Sequence, residues 1–158
     1  MRTERYDDFK TQGGIFMSKQ IEVNVNLINQ KLQFSGTARD NPAIITDYIP
    51  PLGDGQGYTS LELFLISLAS CSASTVVSLL RKMRKNISGF RVNAKGIRRD
   101  QHPTSFEKIR LEFIIISPDA GDEEIHKAIQ MSEEKYCPVW AMVKNNVEVI
   151  TEYRIIAS

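Results

Sequence analysis

The chain has 158 residues, 20 basic and 19 acidic, for a net charge of +1, which is the length of one domain with a real core. So even a charge gives no global electrostatic reason to bind nucleic acid or an anionic membrane. Two cysteines, Cys71 and Cys137, are too few for a secreted disulfide scaffold, and neither belongs to a CxxC pair.

Residues 1–16 are polar and non-periodic, and Met17 would serve equally well as a start. We read 1–17 as a flexible tail and 18–158 as a single domain. The N-terminus is charged and has no apolar h-region, so no secretory signal is expected and the chain reads as cytoplasmic. Ile21–Leu27 alternates with period two, as a half-buried strand does. Asn29-Gln30 makes a turn, and Lys31–Thr37 alternates again to complete a hairpin. Ala43–Ile49 reads as a third strand, stopped by Pro50-Pro51. The following Leu52–Gly57 stretch is glycine-rich. It lacks the lysine of a phosphate-binding loop and reads as a flexible entry to the next element.

That element is the centre of the chain. Leu63 to Leu80 carries no charge for eighteen residues, far too long for a buried strand, so it is expected to be a helix. Thr59 or Ser60 can cap its start, Glu62 suits the positive end of the dipole, and Arg81, Lys82, Arg84 and Lys85 suit the other end. The run is near the length of a membrane span, about 20 residues, but a third of it bears hydroxyls. A helix buried on all sides fits better, and the small residues from Ser67 to Ser74 would let a sheet or the same helix of a second subunit come close.

Gly89–Ile97 and Ser105–Ser117 alternate as two longer strands around a polar loop that holds His102. Glu123–Lys135 reads as a helix with Ile125, Ala128 and Ile129 on one face and His126 beside it. Pro138 starts a short helix over 138–144, and Asn146–Ile156 alternates as the last strand. Hairpin-length links imply antiparallel sheet, and helices segregated from strands imply an α+β layer fold. A zinc site would require Cys71, Cys137, His102 and His126 to converge without the usual paired spacings, so no metal or bound cofactor is expected. Cys137, at the N-cap of the short helix, meets unsatisfied amides that favour a thiolate. Cys71 lies in apolar surroundings that raise its pKa unless a cation reaches it. Either cysteine could also be no more than a small buried hydrophobe.

GYTSLELFLISLASC, followed 66 residues later by YCPVWAMVKNNVEV, resembles the osmotically inducible protein C / organic hydroperoxide resistance family (OsmC/Ohr) over residues 20–156. The resemblance implies the OsmC-like fold: antiparallel sheets wrapped around long central helices in an intertwined homodimer, with active sites at the subunit interface. It also implies a thiol peroxidase that reduces organic hydroperoxides. Cys71 matches the peroxidatic cysteine and Cys137 the resolving cysteine, and a small dithiol or other cellular thiol is the implied reductant. Hydroperoxide-active members usually carry a glutamate ten residues before the first cysteine. Here position 61 is leucine and the glutamate is Glu62, nine residues before, about 900° of helix and so half a turn away. Arg39, the one arginine between the tail and the helix, is the candidate for the family's arginine that holds Cys71 as thiolate. These departures place the chain nearer the less characterised OsmC-like branch. They also leave two other readings: a non-catalytic binder of a small hydrophobic ligand, and a redox sensor signalling through a Cys71–Cys137 disulfide.

Overall fold

Strand β1 (Asn24–Leu27) turns back on β2 (Phe34–Thr37) because Asn29 folds over its own loop, its side-chain oxygen accepting from the Lys31 and Gln33 amides at 2.9 and 3.1 Å. The structure, a computed structural model, describes residues 20–157. The expected tail at 1–17 lies outside them. The chain divides into two compact units at Gly57/Tyr58. In the first, β1, β2 and β3 (Ile44–Thr46) form an antiparallel sheet in sequence order, with Phe34 opposite Thr46.

The glycine-rich loop is pinned, contrary to the flexible entry read from its composition. Asp47 is buried, and its carboxylate accepts from the amides of Tyr48 (2.8 Å), Asp54 (3.1 Å) and Gln56 (3.1 Å). Those donors hold its pKa below the ordinary value, the Gln56 amide most strongly, against the opposing effect of burial. Gly53 and Gly57 permit the wrap, since a Cβ at either would meet the carbonyl oxygen of Tyr48 at 2.1 Å or of Ile45 at 2.6 Å.

The second unit is built on helix α1 (Ser60–Lys82). Thr59 caps it through a reciprocal capping box: its hydroxyl accepts from the Glu62 amide, and the Glu62 carboxylate accepts from the Thr59 amide. Arg84, at φ 62°, ends the helix by turning the chain left-handed. Strands β4 (Gly89–Arg98) and β5 (Phe106–Ile116) pair antiparallel, Gly89 opposite Ile116. Helices α2 (Asp122–Met131) and α3 (Pro138–Val143) follow, joined by a π-helical turn over Ser132–Tyr136, and the chain ends in β6 (Glu148–Ile156).

One pairing departs from the antiparallel expectation. β6 runs parallel to β5, Lys108 opposite Glu148 and Ile116 opposite Ile156. The connection between them is a helical crossover and not a hairpin, and only a crossover can return a strand parallel. The sheet order is β4-β5-β6. Along β5, Ile109, Leu111, Phe113 and Ile115 point to the core, where they meet Leu68, Val76 and Leu80 of α1 and Ile125, Ala128 and Ile129 of α2. The other face carries Lys108–Glu148, Arg110–Glu152 and Arg154–Glu112 ion pairs at 3.1, 2.6 and 2.8 Å, as a solvated sheet face should.

Helix α1 is long and apolar enough to cross a membrane by length and composition alone. Its stripe of Leu68, Ser72, Val76, Leu79 and Leu80 is instead core of this unit. The opposite side is not covered within the unit: Ile66 is 49% exposed, and Ser67, Ser70, Ser74 and Ser78 are exposed with it. Burial on all sides is therefore met on one side only, because one three-stranded sheet and two short helices cover only one side of the helix.

Candidate active site

The two cysteines meet in the core of the second unit. Cys71 sits mid-way along α1, and Cys137 is delivered to it by the turn between α2 and α3. That turn is the part sequence reading missed. Ser132–Tyr136 looks like ordinary polar helix, yet the Cys137 amide donates to the Ser132 carbonyl, five residues back, at 3.0 Å. A π turn inserts one residue into the helical register, and such turns recur at functional sites. Pro138 then starts α3, so Cys137 becomes its N-cap.

The Sγ atoms of Cys71 and Cys137 stand 3.0 Å apart, both as free thiols, about 1 Å beyond a disulfide bond length. Cys137 is 3% exposed, and its sulfur accepts from the Trp140 amide at 3.3 Å. Ser72, wholly buried, brings its hydroxyl to 3.7 Å from the same sulfur. Cys71 is half-buried. Burial pushes its thiol pKa up and the hydrogen bond with Cys137 adds to this, while the Val139 amide pulls the other way by donating to the Cys71 sulfur. First-turn amides of α3 thus face both sulfurs. The Trp140 amide on Cys137 is the kind of donor its N-cap position leads one to expect, whereas the Val139 amide on Cys71 crosses between helices and has no signature in the sequence.

Glu62 lies on α1 half a turn from Cys71, as nine residues of unbroken helix require. Its carboxylate is engaged by Thr59, from the amide at 2.7 Å and the hydroxyl at 2.9 Å, which hold its pKa below the usual range. Arg39 belongs to the first unit, is exposed, and adopts a left-handed backbone at φ 55° just after β2. His102 and His126 are exposed, and among the described residues no three His, Cys, Asp or Glu side chains gather as metal ligands would.

A family model described as OsmC-like protein matches residues 53–152 of this sequence, a span that holds both cysteines and Glu62 but not Arg39. The chain belongs to the OsmC-like family. Its relatives include the protein YhfA of Escherichia coli K12, 34% identical over 98 residues, which are 62% of this OsmC-like chain and 73% of YhfA. Among solved structures, a hypothetical protein from Aquifex aeolicus VF5 superposes with a TM-score of 0.78 at 26% identity, over 89% of this chain and 99% of that one. An organic hydroperoxide resistance protein from Elizabethkingia anophelis shares the OsmC-like fold at a TM-score of 0.68, over 90% of this chain and all of that one; at 15% identity the likeness is of fold alone.

Proposed function

We propose that this OsmC-like protein is a cytoplasmic, thiol-dependent peroxidase that reduces organic hydroperoxides to alcohols. The observation that carries the reading is the 3.0 Å approach of two free thiols in an apolar setting. In the first step the Cys71 thiolate attacks the terminal peroxide oxygen. An S–O bond forms, the O–O bond breaks, and the alkoxide leaves and takes a proton as alcohol, so sulfur is oxidised by two electrons and the peroxide reduced. In the second, the Cys137 sulfur attacks the Cys71 sulfenic acid; an S–S bond forms, the S–O bond breaks, and hydroxide leaves as water. A small dithiol or other cellular thiol then returns both cysteines by exchange.

Burial holds Cys71 as a thiol, so the first step needs a group that favours the thiolate. We assign that role to Arg39, and to Glu62 of a second copy the part of holding the guanidinium, in a homodimer that covers the open side of α1. The exposed Ile66 and the hydroxyl stripe beside it support this arrangement, since a small-residue face lets another helix approach closely.

The test is consumption of cumene hydroperoxide with a dithiol reductant, together with light scattering. The parent should turn over as a dimer and Cys71→Ser should be inactive. A Cys71→Ser protein as active as the parent ends the peroxidase reading, and a folded monomer near 17.9 kDa ends the dimer. One observation favours a second reading, a non-catalytic binder: a mainly apolar groove of about 360 Å³ between α1 and β4, lined by Tyr58, Glu62, Leu65, Ile66, Ala69, Val92 and Ala94. That reading requires a ligand in native mass spectra and thiols that stay reduced under peroxide. A redox sensor would oxidise fast but turn over slowly.

A further inference from the structure

Three hydroxyls along the middle of α1 make different choices. Ser70 donates to the Ser67 carbonyl at 3.2 Å, and Thr75 donates to the Cys71 carbonyl at 3.0 Å, the usual resort of a helical hydroxyl. Ser72 is wholly buried, out of reach of bulk water, and among the described residues its hydroxyl has one partner, the Cys137 sulfur. Either atom of that pair can donate at rest, but when Cys137 attacks as a thiolate it has no proton to give, and the Ser72 O–H is then the donor to its sulfur. With the Trp140 amide it makes two donors on that atom from two different helices.

We propose that Ser72 is a positioning residue that holds the Cys137 sulfur against Cys71 for disulfide formation. The proposal rests on the peroxidase reading for its place in the cycle, in the second step, where the Cys137 sulfur attacks the Cys71 sulfenic acid and water leaves. The Ser72 hydroxyl meets the Cys137 sulfur and not the Cys71 sulfur, so it should leave the first step alone. The loss of one buried hydrogen bond to a reacting group predicts that Ser72→Ala slows disulfide formation about fivefold.

The experiment gives the parent, Ser72→Ala and Ser72→Thr one equivalent of cumene hydroperoxide and follows peroxide loss and disulfide formation separately, with dimedone trapping the Cys71 sulfenic acid. A parallel arm oxidises the same proteins with diamide, which reads the approach of Cys137 to Cys71 without any peroxide step. Expected are unchanged peroxide loss in all three, more dimedone adduct and slower disulfide in Ser72→Ala, slower disulfide with diamide as well, and parent-like rates in Ser72→Thr. Ser72→Ala matching the parent in the diamide arm overturns the proposal. So does equal slowing of both steps, or a Ser72→Ala protein that does not fold, since either makes the hydroxyl a general structural support. A parent that consumes no peroxide refutes the peroxidase reading, and the diamide arm still decides the role of Ser72.

Discussion

The sulfur atoms of Cys71 and Cys137 are 3.0 Å apart although 66 residues separate them in the chain. A bond across that gap would close a long loop, whose entropy in the unfolded chain is worth about 4 kcal/mol before any strain is subtracted. The oxidised protein should therefore melt several degrees above the reduced one. Calorimetry after peroxide treatment, with and without dithiothreitol, measures this directly. Equal melting temperatures, with the disulfide verified by mass spectrometry, would mean that bond formation strains the folded chain by as much as it restrains the unfolded one.

Removing Cys137 should make Cys71 more acidic. Burial raises the Cys71 thiol first, and the hydrogen bond and charge of Cys137 raise it further, so Cys137→Ala leaves burial as the only upward influence. The sign runs the same way in stability: a thiol raised on folding favours the folded chain below the unfolded value, about 8.5, and that advantage is lost as pH rises through the folded value. Iodoacetamide labelling of Cys71, followed peptide by peptide at pH 8, should be faster in Cys137→Ala than in the parent. Slower labelling would show that Cys137 activates Cys71 in the assembled protein.

Much of this frame could be read from residue order. The uncharged run of α1 and the alternation of Val92-Asn93-Ala94-Lys95 and Ile109-Arg110-Leu111-Glu112 report burial directly, and burial is what periodicity encodes. The direction of β6 could not be read, because Val149-Ile150-Thr151 alternates alike whether it pairs parallel or antiparallel. The π turn at Ser132–Tyr136 was hidden for a related reason: one inserted residue leaves a polar helical segment looking polar and helical. At the site, resemblance pointed to the two cysteines. Ser72 did not stand out among the other small residues of α1, since its distinction is a contact with an element 65 residues away. Asp47 read as one polar residue in a strand, because its donors are amides of a loop whose path the composition does not reveal.

Thr59→Ala should destabilise the second unit by about 1 kcal/mol, the usual cost of an N-cap hydroxyl. The capping box also gives this loss a pH dependence. The Thr59 amide and hydroxyl hold the Glu62 carboxyl below its ordinary value, so the contribution is present above the unfolded pKa, about 4.3, and is lost as pH falls through the folded one. Urea unfolding of parent and variant should differ most at pH 7, and the gap should narrow toward pH 3 without closing, because only the bond from the Thr59 hydroxyl to the Glu62 carboxylate titrates. A gap that persists unchanged at pH 3 would assign the effect to the bond from the Glu62 amide to the Thr59 hydroxyl and leave the carboxylate no part in it.

Asp47→Asn should loosen the loop over 52–57 without unfolding the sheet that precedes it. The carboxylate accepts from three loop and strand amides at once, and an amide side chain replaces one of its oxygens by a donor that would face the N–H groups of Asp54 and Gln56 or of Tyr48. Because the Asp47 pKa is lowered on folding, its contribution is present above the ordinary carboxylate range and is lost as pH falls through the folded value. Hydrogen exchange reads this at single amides: Asp54 and Gln56 should exchange much faster in Asp47→Asn at pH 7, while the β2 amide of Ser35, opposite Ile45, stays protected. In the parent, the same two amides should lose protection on acidification before Ser35 does. Equal protection of Asp54 and Gln56 in parent and variant would show that the close packing at Gly53 and Gly57 holds the loop unaided.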